Sequence, residues 1–384
     1  MDVTGIIQRT WPGWRVAGEL GTGSRGSVYR IEREDIIGQT QAAVKAVVIP
    51  QDISELDGLR VQGLDDRAIS EYLEKVVRSL GEEIRLMETV KGYTNIVSIE
   101  DYHVISLPET SQWIVLIRME LLTPLLEHVQ KRPLSEAEVI RLGLDLSSAL
   151  VLCRSRNIVH RDIKPANIFI NRDGDFKLGD FGVARTLMRM ETQFTRVGTF
   201  DYMAPEIFNN QVGATDVDSA AKVDIYSLGL VMYAQLNDGR LPFVTTDDLL
   251  RPNARYAAMM TRMQGVPLPE PRHGSPALKA IVLRACAFDP SQRYQSAETM
   301  RQALAGLQGS VPERARNPKK PKRQRRAARP ERQRRRLGSG ALLKFVIIAI
   351  VALIALLSGL LIASAPEAAP APAAAHGSPP QGGQ

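Results

Sequence analysis

The sequence is poor in cysteine and lacks a leader-like segment at its start. Cys153 and Cys286 are its two cysteines, and neither has a C-x-x-C partner, which argues against a disulfide framework and against a cysteine-ligated zinc site. The opening residues, MDVTGIIQRTW, contain no basic stretch followed by an apolar run and a cleavage site, so no secretory signal is predicted. The folded part of the chain is therefore expected in a reducing cytosol.

Positive charge is confined to one segment. The 384 residues carry a net charge of +7, but residues 314–336 alone contain thirteen basic residues and one acid, which leaves −5 for the remainder. Proline and basic residues exclude aliphatic ones in this stretch, so residues 311–340 are predicted to be a disordered linker. The run has no interleaved aromatic residues on which bases could stack, so no nucleic-acid partner is expected.

A long apolar run follows the linker. Residues 345–363 include nineteen positions without a charge, and the predicted transmembrane helix extends over 341–363 if Lys344 snorkels to the interface. A buried core helix is the competing interpretation, but the flanking segments offer it nothing to pack against. Basic residues precede the run and none follows it, so the N-terminal part is predicted to be cytoplasmic and the short Ala/Pro-rich tail, 364–384, to lie outside. A basic linker beside a membrane would attract anionic lipids.

A glycine pattern lies near the start of the remaining, globular part. Gly21, Gly23 and Gly26 form a G-x-G-x-x-G motif, which alone also fits a Rossmann phosphate loop. The residues that follow are β-branched and alternating, which indicates a hairpin between two strands rather than the start of a helix. Such a hairpin lets backbone N–H groups approach phosphate oxygens.

A lysine and a glutamate form the next candidate pair. Lys45 lies within an otherwise apolar predicted strand, residues 42–48, where it needs an acid or a phosphate as a partner. Residues 68–91 repeat apolar positions at helical spacing and place Glu83 beside the apolar face. Glu83 is the expected partner of Lys45, with Glu82 as the competitor; ordinary solvated helix acids are the alternative for both.

The most specific segment begins at His160. It reads His-Arg-Asp-Ile-Lys-Pro-Ala-Asn and is followed thirteen residues later by Asp-Phe-Gly. Phosphoryl transfer requires an acceptor for the proton of the incoming hydroxyl, cations that neutralise phosphate charge, and oxygen ligands for Mg²⁺. Asp162, Lys164, Asn167 and Asp180 supply these groups. A polar loop before a hairpin is the alternative interpretation, and the joint spacing disfavours it.

With these motifs, residues 14–307 resemble the protein kinase superfamily, of the eukaryotic-like (Hanks-type) serine/threonine kind. Further motifs follow in the family's order: Ala204-Pro205-Glu206, Asp224 in VDIYSLG, and Arg293 in DPSQRY. The resemblance implies an α+β, bilobal protein kinase fold, with a β-rich N-lobe that carries one main helix and a mostly helical C-lobe. With the predicted transmembrane helix, the chain is similar to bacterial membrane-anchored receptor-type kinases; a eukaryotic tail-anchored protein is the alternative.

The resemblance also implies roles for individual residues. Asp162 would be the catalytic base, and Lys164 would contact the transferred phosphate. Thr199 would form hydrogen bonds with both Asp162 and Lys164. Lys45 would hold the α and β phosphates of ATP, while Asn167 and Asp180 would bind Mg²⁺, with Mn²⁺ as a second candidate ion. The remaining residues implied to surround ATP are Gly21, Gly23, Gly26, Val28, Ala43, Glu83, and Glu120 and Leu122 of the hinge. Glu206 and Arg293 would form a buried ion pair, and Asp224 would brace the catalytic loop.

The motif variants indicate the substrate and the regulation. Lys164 and the setting of Thr199 are similar to serine/threonine kinases, so protein Ser/Thr hydroxyls are the expected acceptors. Arg161 would be satisfied by a phosphate on the activation segment, so Thr192 or Thr195 is the hypothesised site of autophosphorylation. A homodimer through the small residues of the transmembrane helix is one further option. A pseudokinase scaffold is the alternative function, although the sequence lacks none of the expected catalytic groups.

Overall fold

The computed structural model describes residues 1–23, 26–107, 112–181, 201–208, 217–245 and 254–308. Its first half is built on one five-stranded antiparallel sheet with the strand order β1-β2-β3-β5-β4. The strands are β1 (Arg15–Gly23), β2 (Gly26–Asp35), β3 (Gly38–Ile49), β4 (Ile99–Leu107) and β5 (Gln112–Glu120). This sheet is the β-rich lobe expected from the sequence.

The glycine motif forms the predicted hairpin. β1 and β2 pair in antiparallel register up to Gly23 and Gly26, so the motif turns between two strands and does not open a helix. Gly26 has a φ of 111°, and a Cβ atom at this position would collide with the carbonyl oxygen of Ala46. A glycine is therefore required there both by the backbone conformation and by the close approach of β3.

Two helices connect β3 to β4. The first of them is α2 (Ile53–Val61), which follows an Asp52 cap whose side chain accepts from the Glu55 N–H. The main helix of the lobe, α3 (Asp66–Thr89), matches the apolar spacing of the sequence and begins at an Asp65 cap. Its apolar face packs beneath the sheet, which places Glu83 on the buried side of the helix and leaves Glu82 exposed.

The second half is mostly helical, as the resemblance implied. A small sheet of β6 (Thr123–Pro124), β7 (Ile168–Ile170) and β8 (Phe176–Leu178) lies between its helices. The helices are α4 (Leu125–Lys131), α5 (Glu136–Ser155), α6 (Pro205–Phe208), α7 (Val217–Gln235), α8 (Ala254–Met263), α9 (Pro276–Ala285) and α10 (Ala297–Gln308). The stretch of α7 from Ile225 to Ala234, in which Ser227 is the one hydroxyl-bearing aliphatic side chain, is buried, so this helix forms the centre of the lobe.

The start of α5 is fixed by polar contacts. Ser135 and Glu138 form a reciprocal capping box, and Arg132 donates to the Glu138 carboxylate. The Arg132 guanidinium and the Ser135 hydrogen bonds lower the pKa of Glu138 to about 2, against the opposing effect of burial. The cap therefore contributes to stability at neutral pH, and its contribution is lost as the pH falls from the ordinary glutamate range towards about 2.

No helix within the described ranges is both long and apolar enough to cross a bilayer. The predicted linker (311–340), transmembrane helix (341–363) and tail (364–384) all lie outside those ranges.

Residues 1–13, which precede the domain predicted from the sequence, belong to the core of the first lobe. The helix α1 (Val3–Thr10) buries Ile6 and Ile7 against the face of the sheet opposite α3. Trp11 is 5% exposed, and its indole N–H donates to Asp101 Oδ2 at 2.7 Å. The guanidinium of Arg118 lies 5.4 Å from the centre of the Trp11 ring. The N-terminal segment thus covers a sheet face that would otherwise expose Ile31, Val44 and Leu116 to water.

We expect Trp11→Ala to reduce the free energy of unfolding by about 3–5 kcal/mol, because it removes a buried aromatic side chain together with its hydrogen bond. Chemical denaturation measures the change. Gln8→Ala, at an exposed position of the same helix, is the matched control and should stay within about 0.5 kcal/mol of the parent. A loss no larger for Trp11→Ala than for Gln8→Ala would contradict a structural role for this segment.

Candidate active site

One buried carboxylate holds the loop between α5 and β7 in place. Asp224 of α7 accepts the backbone N–H of His160 at 2.9 Å and that of Arg161 at 2.8 Å. Burial raises the pKa of Asp224 to about 7, while the two N–H bonds act in the opposite direction. Arg161 has a φ of 60°, a conformation that costs energy outside glycine and that these bonds maintain. The brace expected from the sequence is therefore present.

Two of the predicted catalytic residues, Asp162 and Lys164, and the predicted metal ligand Asn167 meet in this loop. Asn167, at the end of a 3₁₀ turn (Pro165–Asn167), donates from Nδ2 to the Asp162 carbonyl at 2.8 Å and to Asp162 Oδ2 at 3.1 Å. Lys164 Nζ lies 3.1 Å from the same carboxylate oxygen. The Asp162 side chain is only 4% exposed, so these donors fix it in one orientation. Both of these bonds are made by the Asn167 amide nitrogen, so the amide oxygen can act as an acceptor or a metal ligand.

The backbone leading to Asp180 is fixed to the same loop. The Gly179 N–H donates to the Asn167 carbonyl at 2.9 Å, and the Gly179 carbonyl lies 3.0 Å from His160 Nε2. Phe181 is buried against the His160 ring, with the ring centres 4.9 Å apart. Asp180 itself has a φ of 58°. These contacts fix the residues on either side of Asp180 to the catalytic loop.

Lys45 contacts a different acid from the one expected. Its ammonium lies 2.8 Å from Asp180 Oδ1, and the predicted ion pair with Glu83 is not formed among the described residues. Glu83 is buried and has an interaction of its own, whereas Glu82 faces solvent. The left-handed backbone conformation at Asp180 brings its carboxylate within hydrogen-bond distance of Lys45 in β3. A partly buried ammonium group is stabilised by a carboxylate at this distance, so Lys45 pairs with Asp180.

The predicted adenine slot lies between β2, β3 and the end of β5. Val28 is paired with Lys45, and Ala43 with Met119, in the registers of the two strand pairs. Leu122 is half-buried just after β5. The Glu120 carboxylate accepts from Lys177 Nζ at 2.8 Å and from the Ser98 N–H at 2.7 Å. Glu120 therefore offers its backbone, rather than its carboxylate, to a ligand in the slot.

Two residues of this network were missed in the sequence. Lys177 is 8% exposed in the short strand β8, between Phe176 and Leu178. The signal was the one that identified Lys45, a single lysine in an apolar strand. Ser98 contributes through its backbone and leaves no such signal.

Three of the predicted site residues belong to the activation segment. Thr199 and the hypothesised phosphorylation sites Thr192 and Thr195 lie outside the described residues. The segment ends in a described region, where Glu206 Oε1 and Oε2 accept from Arg293 Nη1 and Nη2 at 2.7 and 2.8 Å. Both side chains are buried, so the expected ion pair fixes the end of the segment to the C-lobe.

The donor set suits Mg²⁺ bound together with a phosphate. No group of three or more His, Cys, Asp or Glu side chains forms a metal site in the part of the chain that the structure describes. The Asp180 carboxylate and the Asn167 amide oxygen are two hard oxygen ligands on adjacent segments. Mg²⁺ typically takes one or two such protein ligands and completes its shell with water and substrate phosphates.

Comparison with known proteins agrees with this geometry. Residues 14–305 match the family described as protein kinase domain. Serine/threonine-protein kinase PknB of Mycolicibacterium smegmatis is 36% identical over 188 residues, which cover 47% of this chain and 28% of that protein. The PknB of Mycobacterium tuberculosis (strain ATCC 25177 / H37Ra) is 34% identical over 189 residues, again 28% of its length.

A longer match extends over both lobes. The probable serine/threonine-protein kinase PknB of Lactococcus lactis is 26% identical over 292 residues, which cover 75% of this chain and 40% of that protein. The matched part of this chain therefore spans well under half the length of each of these three relatives.

Proposed function

The chain belongs to the protein kinase family, and we propose that it transfers the γ-phosphate of ATP to serine or threonine hydroxyls of proteins. The observation that carries this proposal is the arrangement of Asp162, Lys164 and Asn167 within one hydrogen-bonded cluster, with Asp180 on the adjacent segment. The serine/threonine assignment is supported by the names of the relatives and by Lys164 in the catalytic loop. A pseudokinase scaffold is not favoured, because each group that the transfer requires is present.

The proposed roles follow from the chemistry of each group. The acceptor hydroxyl gives its proton to the Asp162 carboxylate as its oxygen bonds to the γ-phosphorus; the bond from that phosphorus to the bridging oxygen breaks, and ADP leaves. Lys164, which already contacts Asp162, lies where it can neutralise charge on the transferred phosphoryl group. Thr199, by resemblance, would help to orient the acceptor.

ATP would be held from the two lobes. Lys45 is proposed to move from Asp180 to the α and β phosphates, beneath the hairpin of Gly21, Gly23 and Gly26. The adenine ring would lie between Val28, Ala43 and Leu122 and bond to the backbone after β5. Asn167 and Asp180 would hold Mg²⁺, or Mn²⁺, and a divalent ion there supplies positive charge to the phosphate oxygens.

The membrane anchor is part of the proposal. The apolar run at 341–363 would hold the kinase domain at a membrane, with the domain on the cytoplasmic side and the short tail beyond it. The basic linker would bind anionic lipid headgroups, at about 1 kcal/mol for each charge near the surface. Autophosphorylation at Thr192 or Thr195 and self-association of the anchored chains are proposed as the regulatory steps.

Phosphate transfer from radiolabelled ATP by the full-length chain in detergent, with phosphosites mapped, tests the activity. We expect Mg²⁺-dependent label on Thr192 or Thr195, and a loss of at least about 100-fold in Asp162→Asn, since that variant removes the proton acceptor. Asp173→Asn, at an exposed position, is the matched control and should keep full activity.

Two results would count against this proposal. Transfer that persists in Asp162→Asn would remove that residue from the chemistry. Full activity in a chain with alanine at both Thr192 and Thr195 would reject autophosphorylation as the activating step.

Binding of a peptide of residues 311–340 to vesicles tests the lipid partner. We expect the affinity for phosphatidylserine vesicles to fall steeply as the salt concentration rises, because salt screens the attraction between the thirteen basic residues and the anionic surface. Neutral phosphatidylcholine vesicles and a single-stranded RNA are the comparisons. Equal binding to neutral and phosphatidylserine vesicles, or a preference for the RNA over both, would contradict anionic lipid as the partner of the linker.

A further inference from the structure

A buried ion pair links the end of β5 to the strand that leads to Asp180. Lys177 Nζ lies 2.8 Å from Glu120 Oε1 and 3.4 Å from the Ile96 carbonyl oxygen. The side chains of Lys177 and Glu120 are 10% and 26% exposed. Lys177 is not among the residues predicted from the sequence, and Glu120 is predicted to contact ATP through the hinge backbone rather than through its carboxylate.

The pair belongs to a wider set of bonds around residues 95–98. On one side, the Ser98 N–H donates to Glu120 Oε1 at 2.7 Å, and the Glu120 N–H donates to the Ser98 carbonyl at 3.3 Å. On the other side, the Val97 N–H donates to the Leu178 carbonyl, and the Leu178 N–H donates to the Asn95 carbonyl, each at 2.9 Å. Residues 95–98 thus lie between β5 and β8 and are bonded to both.

The two ends of this set are the two ends of the proposed nucleotide site. Glu120 is directly followed by the backbone that is proposed to bind adenine. Lys177 lies three residues before Asp180, which is proposed to hold the metal at the phosphates. The Glu120–Lys177 bond is a direct side-chain contact between these ends, so its geometry bears on the separation of the adenine and metal positions.

We propose that Glu120 and Lys177 form a positioning pair that sets this separation and so aligns Mg·ATP between the hinge and Asp180. The inference rests on the proposed ATP-dependent function and adds two positioning residues to it. Stability alone does not account for the pair, because well-packed apolar residues are often as stable as a buried ion pair. A charged pair with bonds to Ser98 and Ile96 instead fixes one geometry, and misplacement of the reacting groups by about 1 Å can lower the reaction rate about 100-fold.

The test compares two ligands that differ in how much of the site they occupy. Adenosine contacts the hinge end alone, whereas Mg·ATP needs both ends at the correct separation. In Lys177→Met and Glu120→Gln we expect the Kd of Mg·ATP to rise about tenfold and the Kd of adenosine to change by less than about twofold. The KM for ATP should rise with the Kd, measured on the full chain in detergent.

Several variants separate positioning from folding. Lys177→Arg keeps a cation opposite Glu120 and should restore most of the Mg·ATP affinity. The double variant Glu120→Gln/Lys177→Met removes both charges, leaves no charge unpaired, and should lose no more affinity than either single variant. The exposed pair Lys131–Glu127, at 2.7 Å, is the matched control, and Lys131→Met and Glu127→Gln should leave both affinities unchanged.

Equal losses for adenosine and Mg·ATP, or no loss for either ligand, would overturn the positioning role. If a single variant fails to fold, the double variant decides the question by the same comparison. A parent chain that binds Mg·ATP but transfers no phosphate would refute the proposed function and leave the positioning result intact.

Discussion

The position of the Asp180 carboxylate is the constraint on which the site depends. Its backbone lies in the left-handed region and is held there by bonds from the neighbouring Gly179 to Asn167 and His160. His160 is in turn held by Asp224 of the most buried helix of the C-lobe. A strained residue persists only where its surroundings over-determine it, and here a chain of hydrogen bonds from the core does so.

The same carboxylate connects the two lobes. Lys45 reaches it from the sheet of the N-lobe, at 2.8 Å, where the sequence predicts Glu83 as the partner. Because phosphates would offer this ammonium a stronger set of acceptors, the Lys45–Asp180 pair occupies the route along which ATP and a divalent ion would bind. The Lys45 backbone is paired within β3 and the backbone of Gly179 is bonded to Asn167, so binding would need a change of side chains rather than of the fold.

The features that were predictable from the sequence have short-range physical causes. The hairpin at Gly26 followed from β-branched alternation, and α3 from its apolar spacing. The partner of Lys45 and the role of Lys177 depend on contacts between segments that are distant in the sequence. Local sequence patterns do not predict such contacts. The packing of α1 was missed for a similar reason, since its apolar face is short and its target, the outer face of the sheet, exists only after folding.

The affinity of ATP with and without Mg²⁺, measured by calorimetry on the parent and on Asp180→Asn, tests the central claim most directly. If Asp180 holds the ion against the phosphates, Mg²⁺ should strengthen ATP binding by about tenfold or more in the parent and by less than about twofold in the variant. A variant that keeps the full effect of Mg²⁺ would contradict the assignment of Asp180, and with it the account of how the site is organised.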